Sequence, residues 1–255
     1  MAADPVRKRL AAWLRCDRCG LARFRKQVVL GRGTAPAEIL FIGEAPGRSE
    51  DLRGEAFVGR AGGILNAALD DAARMAGRGC PPSYYVTNTV ACIPLDERGG
   101  AFREPKPPET AACWERVRMT AALVDPEHVV LLGTVAKDAV GARFPGALAL
   151  RHPAYILRQG GTGSTEYRSF VRELADLFRK GASQRLAPLD VFGDEIRPPV
   201  DHADHGRGTE SGPDDPDCGC RMTPDEAACA AAGCGFCAAR AYPRRPVRKG
   251  KAARI

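Results

Sequence analysis

The sequence predicts an α/β fold: a three-layer, doubly wound sandwich around a mainly parallel four-stranded sheet, with a Cys-rich C-terminal extension. Short apolar runs of strand length alternate with Ala- and Leu-rich or amphipathic stretches of helical length, the order that builds parallel βαβ units. The first such run, Ile39-Leu40-Phe41-Ile42, leads straight into residues 43–63, a stretch with six glycines and the acids Glu44, Glu50 and Asp51. Open α/β sheets bind ligands at the carboxyl ends of their strands, so the functional site is expected there.

Taken in order, the N-terminal stretch through Cys16 reads as a short amphipathic helix with Leu10, Trp13 and Leu14 on one side. Cys16 and Cys19 form a CxxC, a spacing that serves one zinc ion, a cluster or a redox pair. Residues 21–36 are basic and loop-like, and the first strand and its glycine-rich loop follow. Residues 64–76 form a helix, and residues 84–90, aromatic and β-branched, a second strand. Asn88 stands near that strand's carboxyl end, with Cys92 four residues on. Residues 93–108 make a long Pro- and Gly-rich loop, whose last two prolines open a helix that carries Cys113. Residues 129–133 give a third strand with a helix after Thr134, and residues 147–150 a short fourth strand leading into His152-Pro153-Ala154. Residues 167–179 are an amphipathic helix with Phe170, Leu174 and Phe178 on one face.

A chain of 255 residues with 44% hydrophobic and 27% charged content has the make-up of a soluble globular protein of one sizeable domain plus an appendage. No apolar run reaches membrane-spanning length, and the first residues lack the apolar core and cleavage site of a signal peptide. A cytoplasmic monomer without a membrane partner is expected. Ten cysteines in that compartment point to metal or cluster ligation rather than disulfides. The net charge is +7, while from Gln184 onward 11 basic and 11 acidic residues balance. The whole excess therefore belongs to the first 183 residues, which suits a polyanionic partner.

Residues 43–63 read GEAPGRSEDLRGEAFVGRAGG. GEAPG, then Glu50-Asp51, then FVG and AGG at this spacing closely resemble the first motif of the family 4 uracil-DNA glycosylases, the iron–sulfur members of that superfamily. His152-Pro153-Ala154 resembles their second motif, and the likeness runs over about residues 7–180. The resemblance implies uracil-containing DNA as substrate, base flipping, and hydrolysis of the N-glycosidic bond in base-excision repair. It implies a 4Fe–4S cluster on Cys16, Cys19, Cys92 and Cys113, in the family's ligand order. Residues 97–102 look like an insertion between the last two, and Cys80 is a spare thiol. A structural zinc site on the same thiols is the alternative.

Within the resemblance, Gly43, Phe57, Asn88 and His152 form the uracil pocket. Asn88 would accept from N3–H and donate to O4, a pattern that cytosine reverses. Phe57 would stack on the base, and His152 would donate to a uracil carbonyl as negative charge develops on the leaving group. Ala45 stands where classical uracil glycosylases carry an aspartate, so Glu44 or Glu50 is expected to hold the attacking water. Asp51 is expected to brace the loop. Tyr155, Ile156 and Leu157 would fill the gap left by the flipped base, with Arg151 and Arg158 on phosphates; Ile156 and Leu157 could equally face the core. His128 is assigned no role.

The expected domains are residues 1–183 as the α/β domain, 184–217 as a flexible linker, and 218–255 as a Cys-rich segment with a basic end. Cys220, Cys229, Cys234 and Cys237, with His202 and His205 upstream, are a candidate second metal site, for zinc. Chance cysteines in a tail explain them as well. Two rival readings stand beside the glycosylase: a relative that holds or crosslinks uracil-DNA without turnover, and a nucleotide-binding scaffold. Crosslinking relatives carry a histidine in a basic insertion after the Asn strand, and residues 93–108 contain none. Carboxylates in the glycine-rich loop, and the absence of a following GKS or GKT, oppose a phosphate loop.

Overall fold

The structure is a computed structural model that describes residues 5–96 and 100–180. Five strands form one sheet: β1 (Arg32–Gly33), β2 (Ile39–Gly43), β3 (Tyr84–Asn88), β4 (His128–Leu132) and β5 (Leu148–Leu150). Their spatial order is β1-β3-β2-β4-β5. The helices are α1 (Pro5–Arg9), α2 (Arg48–Arg53), α3 (Arg60–Met75), α4 (Pro107–Val124), α5 (Thr134–Val140), α6 (Pro153–Arg158) and α7 (Thr165–Lys180).

The three layers follow from the two-residue period of the strands. Ile39 and Phe41 of β2, Tyr84 and Val86 of β3, and Val130 of β4 face one apolar cluster, closed by Leu65 and Leu69 of α3 and Phe170 and Leu174 of α7. Leu40, Ile42, Tyr85, Val129 and Leu131 face the opposite cluster, closed by Val117 and Val124 of α4, Ala136 of α5 and the N-terminal Val6, Leu10 and Trp13. Both sides of β2 are thus buried, which is why its sequence is continuously apolar instead of alternating. No helix among the described residues is long and apolar enough to cross a membrane.

The expected sheet of four strands has five. The fifth, β1, is two residues long and pairs antiparallel with β3, Arg32 opposite Val86 and Gly33 opposite Tyr85. Two residues carry no periodic pattern, so nothing in the sequence marks them. Gly33 has φ +132°, and a Cβ there would run into the Tyr84 carbonyl, so only glycine lets the edge approach so closely. The N-terminal helix is also shorter than expected: α1 ends at Arg9, and a 3₁₀ turn, Ala11–Arg15, carries the chain to Cys16. The glycine-rich loop contains a helix of its own, α2, closed by Gly54 in the left-handed conformation. The next helix begins at Arg60, so the AGG glycines lie inside it.

Gly62 explains that arrangement, since a Cβ there would meet the backbone carbonyl of Phe57. Gly63 faces open space. Gly62→Ala should therefore lose about 1–3 kcal/mol of stability in denaturant unfolding despite alanine's better helix propensity. Gly63→Ala should hold or gain up to ~1 kcal/mol. Equal behaviour of the two variants would contradict the packing of α3 on the Phe57 turn.

Candidate active site and cysteine pocket

The carboxyl ends of β2 and β3 are adjacent and in parallel register, with Gly43 opposite Asn88. A Cβ on Gly43 would lie 2.6 Å from Asn88 Oδ1 and 2.6 Å from Phe57 Cζ. Glycine here is what lets an amide and an aromatic ring converge on one strand end. Asn88 Oδ1 is buried and accepts no hydrogen bond. Such an atom is costly unless something else supplies the donor.

Phe57 is buried with a backbone φ of +53°, rare for a residue with a large side chain. Arg32 holds the turn. Its Nε donates to the Ala56 carbonyl at 2.7 Å, and its Nη2 donates to Asn66 Oδ1 at 2.7 Å and to the Phe57 carbonyl at 3.3 Å. The sequence marks Arg32 only as one basic residue among several; its role depends on the unmarked strand β1.

The loop acids Glu44, Glu50 and Asp51 separate by surroundings. Both oxygens of Glu50 accept backbone N–H groups, from Gly47 at 3.1 Å and Gly59 at 2.7 Å, so this buried carboxylate ties the two ends of the loop together. Asp51 accepts from the backbone N–H of Lys26 at 2.9 Å and of Gln27 at 3.4 Å, bracing the loop as expected. Glu44 is half-buried, and its backbone carbonyl accepts from Thr89 Oγ1 at 2.6 Å. Burial, reinforced by the Glu104 carboxylate and partly offset by Arg158, pushes the Glu44 carboxyl up to about 7.

His152 caps the N-terminus of α6, with Pro153 in the first turn. Its Nδ1 accepts from the Ala154 backbone N–H at 3.1 Å, which places the ring proton on Nε2. That Nε2 is buried without a partner. Its ring lies 5.9 Å from the Phe57 ring, tilted by 35°. Burial, with the charge of Arg158 nearby, lowers its pKa to about 4, so the ring is neutral at neutral pH. One orphaned acceptor and one orphaned donor thus border the same aromatic ring, an arrangement suited to the edge of a flat polar heterocycle.

On the other side of the sheet, Cys16, Cys19, Cys92 and Cys113 line a single pocket with Trp13 and Arg25. Arg25 Nη1 donates to Cys92 Sγ at 3.6 Å, and Arg116 Nε donates to Cys113 Sγ at 3.4 Å. Burial, against the opposing pull of Arg25, pushes the Cys92 thiol up to about 12, and burial also raises Cys19. Such thiols ionise when a metal takes up their charge. Among the described residues no three His, Cys, Asp or Glu side chains close on a point as one ion requires. Four thiols on the lining of one pocket are a donor set of the kind that holds a metal or a cluster. Cys80 is half-buried and away from this pocket.

The profile of the Uracil DNA glycosylase superfamily matches residues 30–175, more than half of the chain. A type-4 uracil-DNA glycosylase of Thermotoga maritima is 34% identical over 62% of this chain and 85% of its own. The chain belongs to the type-4 uracil-DNA glycosylase family. The like-named protein of Pyrobaculum aerophilum is 29% identical over 68% of this chain and 93% of its own. That of Saccharolobus solfataricus is 35% identical, but the match spans only about half of each chain, 52% and 54%.

Of the side chains assigned to DNA, the structure removes one. Ile156 is fully buried in the core cluster below α6 and cannot reach a groove. It lies on the face of α6 that packs on α3, as the periodicity of a short helix dictates. Leu157 is half-buried against the same cluster, and Tyr155 is half-buried. Arg151 and Arg158 are exposed, with the Arg151 guanidinium 5.1 Å from the Tyr155 ring centre. His202, His205, Cys220, Cys229, Cys234 and Cys237, with the linker 184–217 and the segment 218–255, lie outside the described residues.

Long-range ¹⁵N NMR of His152 should show a protonated Nε2, an unprotonated Nδ1 and no titration above about pH 5. A midpoint near the ordinary histidine value would mean that the ring is solvated and the donor is not held ready.

Proposed function

We propose that this type-4 glycosylase removes uracil from DNA by hydrolysing the N-glycosidic bond of a flipped-out nucleotide. The observation that carries the reading is the pair of orphaned buried atoms, Asn88 Oδ1 and His152 Nε2, around Phe57. Uracil offers what they lack: an N3–H donor for Asn88 and a carbonyl for His152. Phe57 gives the base a face to stack on, within the usual ~1–3 kcal/mol per base. Cytosine has an unprotonated N3 and would leave Asn88 Oδ1 buried and unpaired.

As the glycosidic bond breaks, negative charge gathers on the uracil ring. His152 is neutral and already carries its proton on the unpartnered Nε2, so it meets that charge without reorganising. A preorganised donor of this kind is typically worth ~10²–10³ in rate. The other half of the reaction needs a water on the sugar side. Glu50 is engaged by two backbone N–H groups, so of the two expected acids Glu44 is the one to hold it. Its pKa of about 7 is matched to accepting a proton near neutral pH. Arg151 and Arg158, exposed at the two ends of α6, would hold phosphates, and Tyr155 and Leu157 would fill the gap left by the displaced base.

The pocket of Cys16, Cys19, Cys92 and Cys113 would hold a 4Fe–4S cluster. When bound, it supplies a crosslink between the N-terminal turn, the end of β3 and α4. Thiols kept reduced for this purpose suit a cytoplasmic enzyme, and we read it as a monomer.

The test is a uracil-containing oligonucleotide, incubated with the whole protein and treated with alkali to cleave abasic sites. Strand cleavage is expected at uracil and not at cytosine. The single-turnover rate should fall as pH drops below about 7, because protonated Glu44 cannot accept a proton, and Glu44→Gln should abolish that limb with a ~10²–10⁴-fold loss. Stable binding or crosslinking without base release would instead favour the non-turnover reading.

A further inference from the structure

Arg116 heads the fully buried side chains by size. It sits on α4 one turn after Cys113 and spans the gap between the cysteine pocket and the end of β3. Its Nε donates to Cys113 Sγ at 3.4 Å, its Nη1 to Thr87 Oγ1 at 2.8 Å, and its Nη2 to the carbonyls of Asn88 and, at 3.2 Å, Thr89. The three oxygen acceptors, a hydroxyl and two carbonyls, carry no charge. Among the described residues no carboxylate pairs with it. A guanidinium stays charged in proteins, and a buried charge is unfavourable unless an opposite charge is near. The side of Arg116 away from β3 instead meets Cys113, one of the four thiols of the pocket that would hold the cluster.

We propose that Arg116 is a positioning residue that couples the cysteine pocket to the base reader. Its charge would balance the thiolates that hold a bound cluster on one side. Its planar fork holds the Asn88 and Thr89 carbonyls on the other. Asn88 therefore presents Oδ1 at a fixed height opposite His152. Thr89 Oγ1 in turn donates to the Glu44 carbonyl at 2.6 Å, so the same anchor reaches the first residue of the acidic loop. Loss of the cluster would leave a buried cation without its counter-charge, directly behind the residue that reads the base. The inference rests on the function proposed above.

Charge and fork can be separated by substitution. Arg116→Lys keeps the positive charge but offers one ammonium where the fork meets four acceptors. Arg116→Met removes the charge at similar bulk. Whole-chain variants are purified without oxygen and compared with the parent by iron content, visible spectrum, binding to undamaged duplex and single-turnover uracil excision. Arg116→Met should lose most of its iron and its visible band. Arg116→Lys should keep the iron but show an altered visible band, as the hydrogen bond to Cys113 changes. Its excision should slow by about tenfold or more, while binding to undamaged duplex is unchanged. Should Arg116→Lys fail to fold, Thr87→Val removes one acceptor from the opposite side, and slower excision with full iron is expected.

Iron-loaded, active parent protein with Arg116→Lys or Thr87→Val excising at the parental rate overturns this inference alone. Full iron in Arg116→Met overturns the charge argument. A colourless parent protein that excises no uracil overturns the proposed function, and this inference with it.

Discussion

The register of β2 on β3 governs everything around it. Because Gly43 falls opposite Asn88, the loop after one strand and the amide at the end of the next meet at a single point. Both strands are buried on both faces, so a slip of one residue would exchange their two apolar clusters and is not available. The absence of a side chain at Gly43 then decides what can enter: Asn88 Oδ1 and the Phe57 ring occupy the space that a Cβ would fill. The remaining features support this meeting point. Arg32 holds the strained Phe57 turn, Glu50 ties the loop ends, and Arg116 holds the strand end from behind.

Dryness is the second constraint. The same burial that leaves Asn88 Oδ1 and His152 Nε2 unpartnered drives His152 toward its neutral form and Glu44 toward protonation. A donor and an acceptor with no competing water are worth more to a ligand than exposed ones, and cost more when the ligand does not match them. On the proposed function, selectivity and catalysis therefore share one source. The fold places two polar atoms where only a base of the right pattern can satisfy them.

Much of this was legible in the sequence. The apolar runs gave four strands in the right places, and Gly43, Asn88 and His152 each stand at a strand end or just beyond it. The four thiols expected to act together do line one pocket. Strand β1 left no trace, since two residues have no period, and with it Arg32's role was hidden. The helix start at Arg60 was obscured by glycines that weaken a helix by propensity but are demanded here by the Phe57 carbonyl. Arg116 reads in sequence as an ordinary charged helix residue, because spacing alone cannot tell a buried cation from a solvated one. Ile156 follows the same rule in reverse: its place in the motif pointed outward, while helical periodicity turned it inward. Glu44 and Glu50 could not be told apart before their backbone partners were seen.

The central claim is that Asn88 reads the base through a buried acceptor. Asn88→Asp tests it most directly, with single-turnover excision measured on uracil and on cytosine in otherwise identical DNA. A carboxyl group at this position can be protonated, and can then donate toward cytosine N3 while its other oxygen accepts from the amino group. The account predicts slower uracil excision and a marked fall in the uracil-to-cytosine rate ratio. An unchanged uracil rate with an unchanged ratio would contradict it, and the reader would have to be sought elsewhere in the pocket.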